Sequence, residues 1–117
     1  MKINIKVNDN DYFFKLLLIL NNIPPFDKLR PKELELYSNL LAINYKYRNI
    51  PFKERNTLIF NYETKQEIAR RMKIKPTGVY NIMSSLRALK IINDDSLIPK
   101  YILGKTNTLT FIFTEDE

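Results

Sequence analysis

The chain opens on strict alternation. Lys2-Ile3-Asn4-Ile5-Lys6-Val7 sets polar and apolar side chains in turn, the period of a strand with one buried face. Asn8, Asp9 and Asn10 follow, each with a side-chain oxygen suited to cap a helix. A helix is predicted over 10–21, and it is apolar nearly all round: Phe13, Phe14, Leu16, Leu17, Leu18, Ile19 and Leu20. A helix with so little polar face lies either at the centre of a core or in a subunit interface.

Pro24-Pro25 breaks the chain, and Pro31 suits the first position of a second helix running to about Arg48. Two stripes follow from its spacing. Leu36, Leu40, Ile43 and Tyr47 form one; Leu34, Tyr37, Leu41 and Tyr45 form the other. Two stripes imply contacts on two sides, one of them available to a partner. Phe13 and Leu17 of the first helix, with Leu36 and Tyr47 of the second, are the expected oligomer interface. Pro51 ends this region. Residues 52–56 read as a polar loop, and Thr57-Leu58-Ile59-Phe60 as a short strand.

Segment 62–92 is the most informative. Thr64 and Glu67 have the spacing of a capping box, with Ile68, Ala69 and Met72 as the inner face of a short helix. Lys73-Ile74-Lys75 is a tight connection, and Pro76 opens the next helix. Val79, Ile82, Met83, Leu86 and Leu89 then recur at three- and four-residue spacing. Asn93-Asp94-Asp95-Ser96 is a turn. Two strands, Leu97 to Leu103 and Thr108 to Phe113, are expected as a hairpin around Gly104-Lys105-Thr106-Asn107. Glu115-Asp116-Glu117 is a solvated acidic end.

This order resembles a winged helix-turn-helix, and TKQEIARRMKIKPTGVYNIMSSLRALKII at 64–92 resembles the helix-turn-helix run of MarR-type regulators. The resemblance spans about 31–113. It implies a mostly α fold with a small β wing, of α+β class, with an added N-terminal strand and helix. Residues 1–30 would then be a core extension or oligomerisation element, and 31–117 the winged-helix domain. Three positions depart from the family. Lys73 stands where the turn usually has Gly, Gly78 where a hydroxyl often meets the DNA backbone, and Lys90 where Gly usually precedes the wing. A positive φ at Lys73 would carry a steric cost for any residue but glycine.

The resemblance also assigns roles. The helix at 76–89 would enter the major groove and present Thr77, Tyr80, Asn81, Ser84 and Arg87. Asn can pair bidentately with adenine, and Thr or Ser can read either kind of base. Lys65, Arg70, Arg71, Lys73 and Lys75 would neutralise phosphates, with Lys105 at the wing tip. Dimerisation outside the winged unit would place two such helices about one duplex turn apart.

Charge narrows the function. Among 117 residues, 19 Lys+Arg face 13 Asp+Glu, a net of +6. Over 62–92, seven basic residues face two acidic ones, a local net of +5. The excess sits on the DNA-binding-like segment, which favours a polyanion as partner. Cys, His and Trp are absent, so thiol, histidine and zinc-finger chemistry are excluded. Gly78 and Gly104 are the only glycines, and no phosphate loop exists. The expectation is therefore a non-enzymatic protein without cofactor or metal.

The longest apolar run, Tyr12 to Leu20, holds Lys15 and falls short of the roughly 20 residues a membrane span needs. A cytoplasmic protein without a membrane partner is expected. The Ile-, Asn- and Lys-rich composition resembles that of proteins from AT-rich genomes, including phages and mobile elements, where the cytoplasm would be the host's. Two readings stand. One is a regulator or replication accessory factor on double-stranded DNA, acting as a homodimer or higher oligomer. The other is a virion or assembly protein that uses a winged-helix fold for contacts with other proteins, by analogy of fold alone.

Overall fold

The computed structural model describes residues 2–6, 12–104 and 108–112. Among these, five helices carry the fold: α1 (Tyr12–Leu20), α2 (Pro31–Lys46), α3 (Phe52–Ile59), α4 (Tyr62–Met72) and α5 (Pro76–Ala88). Four short strands make two antiparallel pairs. β1 (Lys2–Lys6) pairs with β4 (Thr108–Ile112), with Asn4 opposite Thr110. β2 (Ile92–Asn93) pairs with β3 (Ser96–Leu97) in a small hairpin. The chain is therefore mostly helical with minor antiparallel sheet.

α2 is the central helix. Its Leu36, Tyr37, Leu40 and Leu41 are fully buried, and it packs on α1, α3, α4 and α5. Leu34, Leu36, Tyr37, Leu40 and Leu41 of the two stripes lie in the chain's own core, with Ile43 and Tyr45 packed against it. Phe13 of α1 meets Tyr45 at a ring distance of 6.2 Å. One apolar cluster runs from Tyr12 to Leu97, taking in Leu17, Leu36, Ile68, Met83 and Ile91. Full burial of each such side chain contributes about 1.5–3 kcal/mol. Pro31 opens α2, and the Glu33 carboxylate accepts from the Arg30 amide at 2.8 Å. This satisfies a donor at the helix start.

Three local expectations need correction. Residues 52–59 form α3 rather than a loop and a strand. Ile59 and Asn56, one turn apart, both turn inward, and the buried Asn56 amide donates to the Phe52 carbonyl at 3.0 Å. Second, Asn61, not Thr64, caps α4: its side-chain oxygen accepts from the Thr64 amide at 2.7 Å. The Thr64 hydroxyl instead donates to the Leu58 carbonyl at 2.7 Å, joining α4 to the end of α3. Third, 97–103 and 108–113 do not form a hairpin. Pro99 starts a 3-10 turn over Pro99–Tyr101, and β4 pairs with β1 instead. Proline lacks the amide a strand ladder needs. The expected helix cap at 8–10, the turn residues 105–107, Phe113 and the acidic end lie outside the described residues.

The connection after α4 has a definite cause. The Ile74 amide reaches back to the Ala69 carbonyl at 3.0 Å, and the Lys73 amide to that of Arg70 at 3.2 Å. This is a Schellman cap, with Lys73 in the left-handed region at φ 57°. α5 ends the same way. Ile91 reaches Leu86 at 3.0 Å, Lys90 reaches Arg87 at 3.0 Å, and Lys90 has φ 60°. Glycine is the usual residue there, so both lysines carry a backbone cost. Their charges face helix C-termini, which offsets part of it.

A candidate nucleic-acid interface on α4 and α5

α5 buries Val79, Met83 and Leu86 and half-buries Ile82. That rotation leaves Thr77, Tyr80, Asn81 and Ser84 exposed together. The helix contains no acidic residue. The Ser84 hydroxyl donates to the Tyr80 carbonyl at 3.1 Å and keeps its acceptor capacity outward. Gly78 lies against Ile74, where an added Cβ would stand 3.3 Å from the Ile74 side-chain tip. The contact is close, but the Ile74 tip need shift only slightly to admit a side chain.

Lys73 and Lys75 are exposed at the start of α5. Among the described residues, the other expected phosphate ligands, Lys65, Arg70 and Arg71, are engaged. Arg70 and Arg71 both pair with Glu67, Arg70 at its Oε2 and Arg71 at its Oε1. The Arg70 hydrogen bond, reinforced by the two positive charges, holds the Glu67 carboxyl below the usual range. These pairs are solvent-exposed, so each contributes little and exchanges readily.

Lys65 differs more from expectation. Its side chain is only 11% exposed, and its ammonium lies 3.8 Å from Asp95 Oδ1. The same ammonium stands 5.1 Å from the Tyr80 ring centroid, a cation–π contact. Arg87 is tied to the same hairpin. Its Nε donates to the Asp94 carbonyl at 3.2 Å and its terminal nitrogen to Asp95 Oδ1 at 3.4 Å. The β2–β3 tip is thus acidic and sits against both cations. Counting Asp94 and Asp95 with 62–92 lowers the local net charge from +5 to +3.

The expected wing tip, Lys105, lies outside the described residues. The hairpin that directly follows α5 is β2–β3, with Asp94 at φ 50° in its turn. Asp tolerates that conformation better than most residues. Lys100 is exposed in the 3-10 turn with its ammonium 5.0 Å from the Tyr101 ring centroid.

Three of the four expected interface residues need correction. Phe13, Leu17 and Leu36 are buried at 3%, 0% and 0%, inside the chain's own core. Tyr47 is half-buried, with the Lys46 ammonium 5.3 Å from its ring centroid. The apolar surface of α1 and its following loop is made instead by Leu18, Ile19 and Ile23. Helical spacing alone could not tell which side of an all-apolar helix turns outward.

Two further residues border α5. Arg30 and Lys32, at the start of α2, line a groove of about 430 Å³ with Asn81, Ile82 and Ser85. Nothing in local sequence linked positions 30–32 to α5, fifty residues on. Among the described residues, no group of three or more acidic side chains is placed to hold a metal ion, and no helix is long and apolar enough to cross a membrane. Comparison with family models, with curated proteins and with solved structures finds no match for this chain.

Proposed function

We propose that the chain is a small DNA-binding protein of winged-helix type, a regulator or replication accessory factor, that lays α5 in the major groove. The observation that carries this reading is the α5 face. Thr77, Tyr80, Asn81 and Ser84 lie exposed side by side on a helix without a carboxylate, and exposed Lys73 and Lys75 stand at its start. Asn81 would pair with an adenine edge, and Tyr80 would touch a thymine methyl. Lys73 and Lys75 would hold phosphates, joined by Arg70 and Arg71 once Glu67 releases them. The test is a selection of bound sequences from random duplexes. Asn81→Ala should broaden the selected base at one position, and Lys75→Ala should weaken all sequences alike.

A second reading is favoured by a different observation. Leu18, Ile19 and Ile23, on α1 and the loop that follows it, are 49%, 37% and 53% exposed. Under this reading the chain is a virion or assembly protein, and α5 faces a protein neighbour. Duplex DNA would then show no salt-dependent binding.

A further inference from the structure

Asp95 lies between two cations that approach the hairpin from different helices. Its Oδ1 stands 3.8 Å from the Lys65 ammonium of α4 and accepts from Arg87 of α5 at 3.4 Å. One carboxylate oxygen thus faces both positive groups. We propose that Lys65 and Arg87 form a single phosphate seat, that Asp95 fills it in the free chain, and that a DNA phosphate oxygen displaces Asp95 on binding. This rests on the DNA-binding reading above and adds to it a gated contact.

Three observations support the exchange. Lys65 is 11% exposed, and a charge so far removed from water requires an anion close by. A phosphodiester carries one negative charge, as a carboxylate does, so the exchange preserves the balance. Asp95 is 65% exposed, and a pair with one so accessible partner is weakly held. The hairpin does not depend on the clamp. Its Leu97 amide donates to the buried Asn56 side chain at 3.0 Å, and Ile92 and Leu97 are both buried. Asp95 can therefore leave while the hairpin stays. The seat adjoins the reading face, because Lys65 also holds the Tyr80 ring at 5.1 Å.

Asp94 provides an internal control. Substituting Asn for either residue removes one negative charge from the same tip. Only Asp95 presents its carboxylate to both cations; Arg87 meets Asp94 through the backbone carbonyl, which substitution leaves in place. The experiment measures binding of a fluorescent duplex of about 20 base pairs by anisotropy across a salt series. Asp95→Asn should tighten binding about tenfold and Asp94→Asn no more than about twofold, since only the first frees the seat. Arg87→Gln placed in the Asp95→Asn chain should remove most of the gain. Thermal melts identify any misfolded variant, and Asp95→Ser gives the same reading if Asp95→Asn is lost. Equal gains for Asp94→Asn and Asp95→Asn, with DNA bound by the unsubstituted chain, would overturn the seat and leave DNA binding intact. No binding by the unsubstituted chain or any variant would overturn the DNA reading itself, and the seat with it.

Discussion

The Leu97 amide donates to Asn56 Oδ1 at 3.0 Å, across 41 residues of chain. The other end of the same side chain donates to the Phe52 carbonyl. A single buried amide therefore ties the first residue of α3 to the hairpin that follows α5. Asn56→Leu should cost about 2–3 kcal/mol, because it leaves the Leu97 amide buried without an acceptor. Urea unfolding measures it. The same variant should raise amide exchange at 92–97 before it does so in α2.

Lys90 sits at φ 60° in the cap of α5. Lys90→Gly should stabilise the chain by about 0.5–1 kcal/mol, the relief of the left-handed strain less the lost charge at the helix end. A rise in melting temperature is the readout. Lys73→Gly should do likewise, but it also removes an exposed cation beside α5 and should weaken DNA binding.

The Tyr37 hydroxyl donates to the Tyr101 carbonyl at 2.6 Å in the core. Burial, with Tyr101 nearby, pushes its phenol well above the usual value of 10.0. The folded chain therefore keeps a proton that the unfolded chain loses. Stability from this group is complete below pH 10 and falls as pH rises above it. Tyr37→Phe should cost about 1–2 kcal/mol at neutral pH through the lost hydrogen bond. It should also flatten the decline of stability above pH 10, seen in urea melts at several pH values against the unsubstituted chain.

Neighbours on α1 should behave in opposite ways. Leu17 is fully buried, and Leu17→Ala should cost about 2–5 kcal/mol. Leu18 is 49% exposed, and Leu18→Lys should change stability by no more than about 0.5 kcal/mol. Sedimentation of the Leu18→Lys chain reads the second role. A loss of self-association would make α1 an interface through Leu18 and its neighbours, not through Phe13 and Leu17.

Four of the five helices were legible as patterns. Pro31 and Pro76 marked the starts of α2 and α5, and apolar spacing marked their inner faces. α3 was not legible, because Leu58-Ile59-Phe60 has strand propensity and only the packing of Asn56 and Ile59 makes it helical. Pairing of β1 with β4 was also hidden, since alternation identifies a strand without its partner. At the site, the exposed α5 residues followed from helical period. The pairing of Lys65 with Asp95 did not, because thirty residues separate them and only the folded hairpin brings them together. Charge counting along 62–92 therefore overstated the free positive charge at the surface.

The central claim is that α5 and its flanking lysines bind duplex DNA. The most direct measurement is the affinity of the unsubstituted chain for a labelled duplex between about 50 and 200 mM salt. The logarithm of affinity should fall linearly with the logarithm of salt concentration. Lys75→Ala should weaken binding and reduce that slope by about one. Binding absent at micromolar chain in the lowest salt, or unchanged across the series, would contradict the claim.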